Sequence, residues 1–62
     1  MEDDSKQRLL QAAIQLFAAH GFGSVSIRQI AKEAETNSAM ISYYFGSKQK
    51  LYEAAIDAQA AA

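Results

Sequence analysis

The amino-acid sequence predicts an all-α fold, with a three-helix core that contains a helix-turn-helix and a fourth helix leading out of it. Three observations predict this fold. Apolar residues recur at helical spacing in four segments, glycine follows two of these segments, and serine or asparagine precedes three of them. The 62 residues make one domain, and half of them are apolar. Because 13 residues are alanine, only 18 larger apolar side chains remain, enough for one small helical core.

The first predicted helix runs from about Ser5 to His20. Its apolar stripe consists of Leu9, Leu10, Ala13, Ile14, Leu16 and Phe17. Gly21 ends the helix, since glycine readily adopts a left-handed backbone there, and Phe22 can fold back on that end. The two glycines of "GFGS" then predict a loop.

The second predicted helix begins at Ser26, which has the spacing of a capping box with Gln29. It turns four apolar residues to one side: Ile27, Ile30, Ala31 and Ala34. It ends before "TNS", because these side chains favour local hydrogen bonds in caps and turns. Thr36 or Asn37 is then expected to cap a third helix over residues 37 to 44.

The second and third helices, separated by a short turn, meet the requirements of a helix-turn-helix over residues 26–45. Ala31 lets the two helices approach, Ile30 and Ile41 fill the wedge between them, and the first helix supports the pair through Phe17. Gly46 ends the third helix and Ser47 caps a fourth. Its inner face contains Leu51 and Ala55, with Tyr52 and Ile56 as further candidates.

The outward face of the third helix contains Ala39 and Tyr43, with Met40 and Ser42 beside them. A helix presenting such a face fits the DNA major groove. The net charge of −1 does not favour nucleic acid, but the charge is unevenly placed. Residues 26–50 contain four basic and two acidic side chains, an excess of +2. This excess favours phosphate contact weakly.

Three blocks resemble the N-terminal DNA-binding domain of the tetracycline-repressor (TetR) family of bacterial transcriptional regulators. They are "RLLQAAIQLFAAHGF", "VSIRQIAKEA" and "ISYYFGSKQKLYEAA", within residues 8 to 56. The resemblance implies a homeodomain-like fold and a repressor that binds a palindromic DNA operator. It also implies a second, ligand-binding and dimer-forming domain, which we expect to be absent from these 62 residues. The absence of cysteine and of a signal-peptide-like run leads us to expect a cytoplasmic protein. Glu35 stands where the family commonly has glycine, and Ser42 where tyrosine is common.

The resemblance and the helical projection together give the predicted DNA-binding residues: Ser26, Arg28, Asn37, Ser38, Ala39, Met40, Ser42, Tyr43, Tyr44 and Lys48. Ser26 is equally a plain helix cap. Tyr44 is expected to pack its ring on the core edge while its hydroxyl reaches a phosphate. Lys48, in the first turn of the fourth helix, can bind a phosphate with the free backbone N–H groups there, or it is a solvated lysine.

Other functional classes are disfavoured. The absence of cysteine excludes disulfides and thiolate metal sites, and no apolar run resembles a signal peptide or membrane span. His20 is the only histidine, interpreted as a cation at a helix C-terminus, and the acids Glu2, Asp3 and Asp4 form a flexible tail. We therefore expect no catalysis, cofactor or metal. The alternative to DNA binding is a helical protein-interaction module that uses Met40, Tyr43 and Tyr52 as a docking patch.

The chain on its own is expected to be mainly monomeric and to bind one half-site weakly. Because the second domain would cover part of the fourth helix, Leu51, Tyr52 and Ile56 are expected to be partly exposed.

Overall fold

Four α-helices make up the chain in the computed structural model, which describes residues 4–61. They are α1 (Ser5–His20), α2 (Ile27–Glu33), α3 (Ala39–Tyr44) and α4 (Lys48–Ala61). No strand occurs within residues 4–61. The all-α prediction is confirmed, including the bounds of the first helix. Residues 1–3 of the predicted acidic tail lie outside the described part of the chain.

The core forms where α1 packs against each of the other three helices. Its fully enclosed side chains include Leu9 of α1, Ile30 of α2, Ile41 of α3 and Leu51 of α4, one from each helix. Alanines fill the close contacts between them: Ala12, Ala13, Ala31, Ala34 and Ala55. Ile30 and Ile41 therefore occupy the wedge between α2 and α3 as predicted, and the buried Ala31 allows the close approach.

Local side-chain caps begin two of the helices where the sequence predicts them. The N–H of Gln29 donates to Ser26 Oγ at 3.0 Å, and the Ser26 N–H donates to Gln29 Oε1 at 3.4 Å. This reciprocal pair is a capping box. At the start of α4, the N–H of Lys50 donates to Ser47 Oγ at 3.2 Å. Both predicted caps are confirmed.

The helix ends depend on residues with positive φ. Gly21 has φ +87° and donates its N–H to the Phe17 carbonyl at 2.8 Å, and Gly46 has φ +102°. The "GFGS" segment predicted as a loop contains one 3₁₀ turn, Phe22–Ser24, because the Ser24 N–H bonds the Gly21 carbonyl at 3.3 Å.

Glu35 follows the C-cap of α2 and has φ +62°, the only positive φ among the described residues other than glycine. Its N–H donates to the Lys32 carbonyl at 3.1 Å, and the N–H of Thr36 donates to the Ala31 carbonyl at 2.9 Å. These two bonds form a Schellman motif, in which the position of Glu35 is usually occupied by glycine. A glutamate there is strained by about 1 kcal/mol or more.

Two predictions about α3 and α4 are wrong. Helix α3 begins at Ala39, two residues later than predicted, and neither Thr36 nor Asn37 caps it; the cap position is Ser38, without a side-chain bond. The reason is that Asn37 and Ser38 belong to the turn, where their carbonyls accept the N–H groups of Met40 and Ile41. In α4, Leu51 is fully buried rather than partly exposed, because α4 packs directly on α1.

Tyr52 and Ile56, the other two residues that were expected to be partly exposed, differ from Leu51. Ile56, also a candidate for the inner face, is 46% exposed and lies off the core. Tyr52 is half-buried and packs against the core.

Candidate nucleic-acid interface

Helix α3 has one buried and one outward face. Ile41 is buried, whereas Tyr43 on the opposite side is 75% exposed, the most exposed large apolar side chain among the described residues. Ala39 and Ser42 are exposed beside it. Met40 differs from the prediction, because it is half-buried and packs against the core. The free face of the helix therefore consists of Ala39, Ser42 and Tyr43, with Met40 at its margin.

The two tyrosines at the end of α3 contact one another edge to face. Their ring centroids are 4.9 Å apart, with the ring planes at 74°. Tyr44 is half-buried and packs against the core, as its predicted packing requires, and Tyr43 extends outward from it. This contact restricts the rotamers of Tyr43, so the exposed ring has a preferred direction although no core residue surrounds it.

Polar and basic side chains line a notch between α2 and the turn that leads into α3. Its volume is about 260 Å³, and its lining contains the predicted site residues Arg28, Asn37 and Ser38. Thr36 and Lys32 complete the polar lining. Ser26, the N-cap of α2, is exposed two residues before Arg28. The structure thus brings most of the polar site residues to the start of α2 and the start of α3.

Lys48 is the first residue of α4 and is half-buried. Its Nζ lies 4.2 Å from the centroid of the Phe22 ring. A cation over an aromatic face at this distance is attracted by the negative face of the ring. The ammonium therefore lies against the Phe22 ring, beside the first turn of α4.

Sequence reasoning missed two residues of this surface. Lys32 follows Arg28 by four residues in α2, a spacing that puts both on one helix face and that could have identified it. Phe22 is separated from Lys48 by 26 positions, and no local pattern relates an aromatic residue in a loop to a distant lysine.

A larger cleft, of about 360 Å³, lies on another side of the domain, between α1 and the end of α2. Its lining includes Arg8 but also three acids, Asp4, Glu33 and Glu35, with several glutamines. Three carboxylates against one guanidinium disfavour phosphate there. Of the alternative docking patch, only Tyr43 is largely exposed, since Met40 and Tyr52 both pack against the core.

Two helices pack together on Ile30 and Ile41; the second has a free outward face, and the first places Arg28 and Lys32 beside it. This arrangement defines the helix-turn-helix class of DNA-binding domains. Comparison with known families agrees. The model of the bacterial regulatory proteins of the tetR family matches residues 9–55. The chain belongs to this family, whose helix-turn-helix binds DNA sequence-specifically.

Similar proteins are transcriptional regulators. The chain is 44% identical over 50 residues to the "HTH-type transcriptional repressor NicS" of Pseudomonas putida, covering 81% of this chain and 24% of that protein. It is 43% identical over 53 residues to the "Probable HTH-type transcriptional regulator YttP" of Bacillus subtilis, covering 86% of this chain and 26% of that protein. A third relative, the "HTH-type transcriptional regulatory protein RaaS" of Mycobacterium tuberculosis, is 44% identical over 50 residues, 81% of this chain and 23% of its own.

The chain spans about a quarter of the length of these curated relatives. No solved structure gives a significant match. Within residues 4–61, no helix is both long enough and apolar enough to cross a lipid bilayer.

Proposed function

We propose that this chain reads double-stranded DNA with α3 in the major groove, with Ala39, Ser42 and Tyr43 facing the bases and Met40 at the margin. The exposed Tyr43 carries the proposal. An aromatic side chain that is 75% exposed and backed by a buried isoleucine contributes little to folding, so binding is its better explanation. Ala39 and Met40 suit apolar contact with thymine methyl groups.

The polar residues around α3 hold the domain on the DNA backbone in this proposal. Ser26 and Arg28 contact DNA from the start of α2, and Asn37 and Ser38 from the turn before α3. Tyr44 contributes its hydroxyl, Lys48 meets a phosphate at the start of α4, and Lys32, one turn from Arg28, is added to the predicted set. Contacts of this kind fix the register of the helix in the groove and make affinity depend on salt.

The names of the related regulators support a wider role in transcription, and one of the three is a repressor. We propose a repressor that acts in the cytoplasm on a palindromic operator, without catalysis or a cofactor bound to this domain. A dimer of a longer protein that contains this domain would place two copies of α3 on two half-sites. The 62-residue chain by itself then acts as a monomer on one half-site.

Selection from a pool of random duplexes, followed by titration of the selected duplex at several salt concentrations, tests the function. Sequence-specific binding requires that the selected duplex competes much better than a scrambled one. Phosphate contact requires that the logarithm of the binding constant falls linearly with the logarithm of the salt concentration. Equal affinity for selected and scrambled duplexes would leave only non-specific attraction to DNA, and the proposed reading by α3 would be rejected.

A further inference from the structure

The Phe22 ring lies under the Lys48 ammonium, with 4.2 Å between Nζ and the ring centroid. Phe22 belongs to the 3₁₀ turn after α1, and Lys48 begins α4, so this contact joins two distant parts of the chain. Both side chains are half-buried. The lysine is therefore held on one side by an aromatic face rather than surrounded by water.

Two further rings fix the position of Phe22. Its centroid is 5.8 Å from that of Phe17, with the rings stacked at 26°, and 4.9 Å from that of Tyr52 at 60°. Phe17 and Tyr52 also contact each other at 5.1 Å. We call these three residues the aromatic cluster. The 3₁₀ turn places the backbone of Phe22, and the aromatic cluster holds its ring.

The backbone at the start of α4 attracts anions in addition to the charge of Lys48. The first backbone N–H groups of a helix lack intrahelical acceptors and carry partial positive charge. At α4, the Ser47 hydroxyl accepts only the Lys50 N–H. The ring covers one side of the Lys48 ammonium, and its other N–H donors remain available to a phosphate oxygen. A lysine already held in place also loses less rotamer freedom when it binds.

We propose that Phe22 is a positioning residue for DNA binding, holding the Lys48 ammonium beside the first turn of α4 where both meet one DNA phosphate. This inference rests on the proposed function, in which Lys48 binds the backbone. It assigns to the residue after Gly21 a role in affinity in addition to its packing in the aromatic cluster.

A double-mutant cycle tests the inference. A fluorescently labelled duplex of mixed sequence, two helical turns long, is titrated with the 62-residue chain and with Phe22→Leu, Lys48→Met and the double variant. Each single change should weaken binding, Phe22→Leu by roughly two- to fivefold, the range of an exposed cation–π contact. Phe22→Leu should have no further effect once Lys48 is methionine. Phe22→Tyr keeps the aromatic face and should bind like the original chain.

Lys50 provides the matched control, because it is an exposed lysine two residues further along α4. In a Lys50→Met background, Phe22→Leu should keep its full effect on affinity. If the role of Phe22 is purely structural, Phe22→Leu should weaken binding equally in the Lys48→Met and Lys50→Met backgrounds. That result would overturn the inference.

The free chain supplies an independent measurement. In the NMR spectrum, the Lys48 side-chain protons should be shifted upfield by the Phe22 ring and should return to ordinary positions in Phe22→Leu. If Phe22→Leu does not fold, chemical synthesis with a pentafluorophenyl ring at position 22 keeps the shape and reverses the ring quadrupole, and it should give the same loss of affinity.

NMR and DNA titration together separate the positioning role of Phe22 from DNA binding by the chain. Unshifted Lys48 protons in the original chain would overturn the positioning role alone, whatever the DNA affinity. Shifted protons in a chain that binds no duplex would show the contact present and the proposed function wrong, and the role in DNA binding would be rejected with it. An affinity unchanged by Lys48→Met would reject the phosphate contact and the inference together.

Discussion

Arg8 in α1 donates its Nε–H to the carbonyl oxygen of Ala34 at 2.9 Å, a bond across 26 positions of the chain. Ala34 is the C-cap of α2, where carbonyls run out of intrahelical donors. A guanidinium at this place satisfies such a carbonyl and complements the negative end of the helix dipole. Arg8 therefore fixes the end of the helix whose start, at Ser26 and Arg28, belongs to the candidate interface.

Replacing Arg8 by methionine should destabilise the domain while keeping the apolar stem. A bond from a charged donor contributes about 1.5–3 kcal/mol, and partial exposure reduces this, so we expect a loss of about 1 kcal/mol in the free energy of unfolding. Urea denaturation followed by circular dichroism measures it. Lys50→Met removes the same charge from an exposed position of α4 and should change stability by less than about 0.5 kcal/mol. Equal losses in both variants would mean that the bond to Ala34 contributes nothing.

Glu35→Gly should stabilise the domain. Glu35 has φ +62° at a Schellman position, and glycine removes the steric strain of about 1 kcal/mol while adding flexibility to the unfolded chain. Because the two effects oppose each other, we expect a net increase of roughly 0.5 kcal/mol in the free energy of unfolding. Thermal denaturation detects it as a higher Tm. Glu33→Gly, which removes the same charge inside α2, should instead destabilise by about 1 kcal/mol. A lower Tm for Glu35→Gly would contradict the strain assigned to that residue.

Features determined by residues close in sequence could be predicted. The Ser26–Gln29 capping box, the Ser47 cap and the stops at Gly21 and Gly46 each involve at most four consecutive positions. The inward direction of Ile41 and the outward direction of Tyr43 followed from helical period alone. These determine the fold and the free face of α3.

Features that depend on contacts between helices could not be predicted. The Arg8–Ala34 bond and the Phe22–Lys48 contact each join residues 26 positions apart. Leu51 was placed on the inner face of the fourth helix but was also expected to be partly exposed where a second domain would cover it. Its complete burial depends on α4 packing against α1. The start of α3 was placed too early, since several polar residues of "TNS" could cap and only the turn geometry selects Ser38.

Tyr43→Ala and Ile41→Ala should separate binding from folding. Ile41 is buried between α2 and α3, so its truncation should destabilise the domain by about 2–5 kcal/mol. That is a large share of the free energy of unfolding of a small domain. Tyr43 is exposed, so its truncation should leave unfolding nearly unchanged and weaken binding to the selected duplex. Circular dichroism and fluorescence anisotropy measure the two effects. Comparable unfolding of both variants would show that the Tyr43 ring supports the core.

Lys32→Met should reduce the salt dependence of DNA binding. If Lys32 meets a phosphate from the notch it shares with Arg28, removing its charge should lower the slope of log K against log salt by about 0.9. Lys32→Arg keeps the charge and should keep the slope, which makes it the control at the same position. Titrations at several salt concentrations give both values. An unchanged slope in Lys32→Met would remove Lys32 from the interface.

The 62-residue chain should sediment as a monomer and gain little from a duplex with two half-sites. Ile56, 46% exposed, is the only large aliphatic side chain within residues 4–61 that is exposed, and one such residue is a small surface for a stable dimer. Without a tether, binding the first half-site does not raise the effective concentration at the second. Joining two copies by a flexible linker that spans the half-sites should therefore increase affinity for the paired duplex by about 10²-fold, and leave affinity for a single half-site unchanged. Analytical ultracentrifugation and titration of single and paired half-sites measure both properties. A stable dimer of the unlinked chain that is dissociated by Ile56→Glu would locate a dimer interface on α4 and contradict the monomeric assignment.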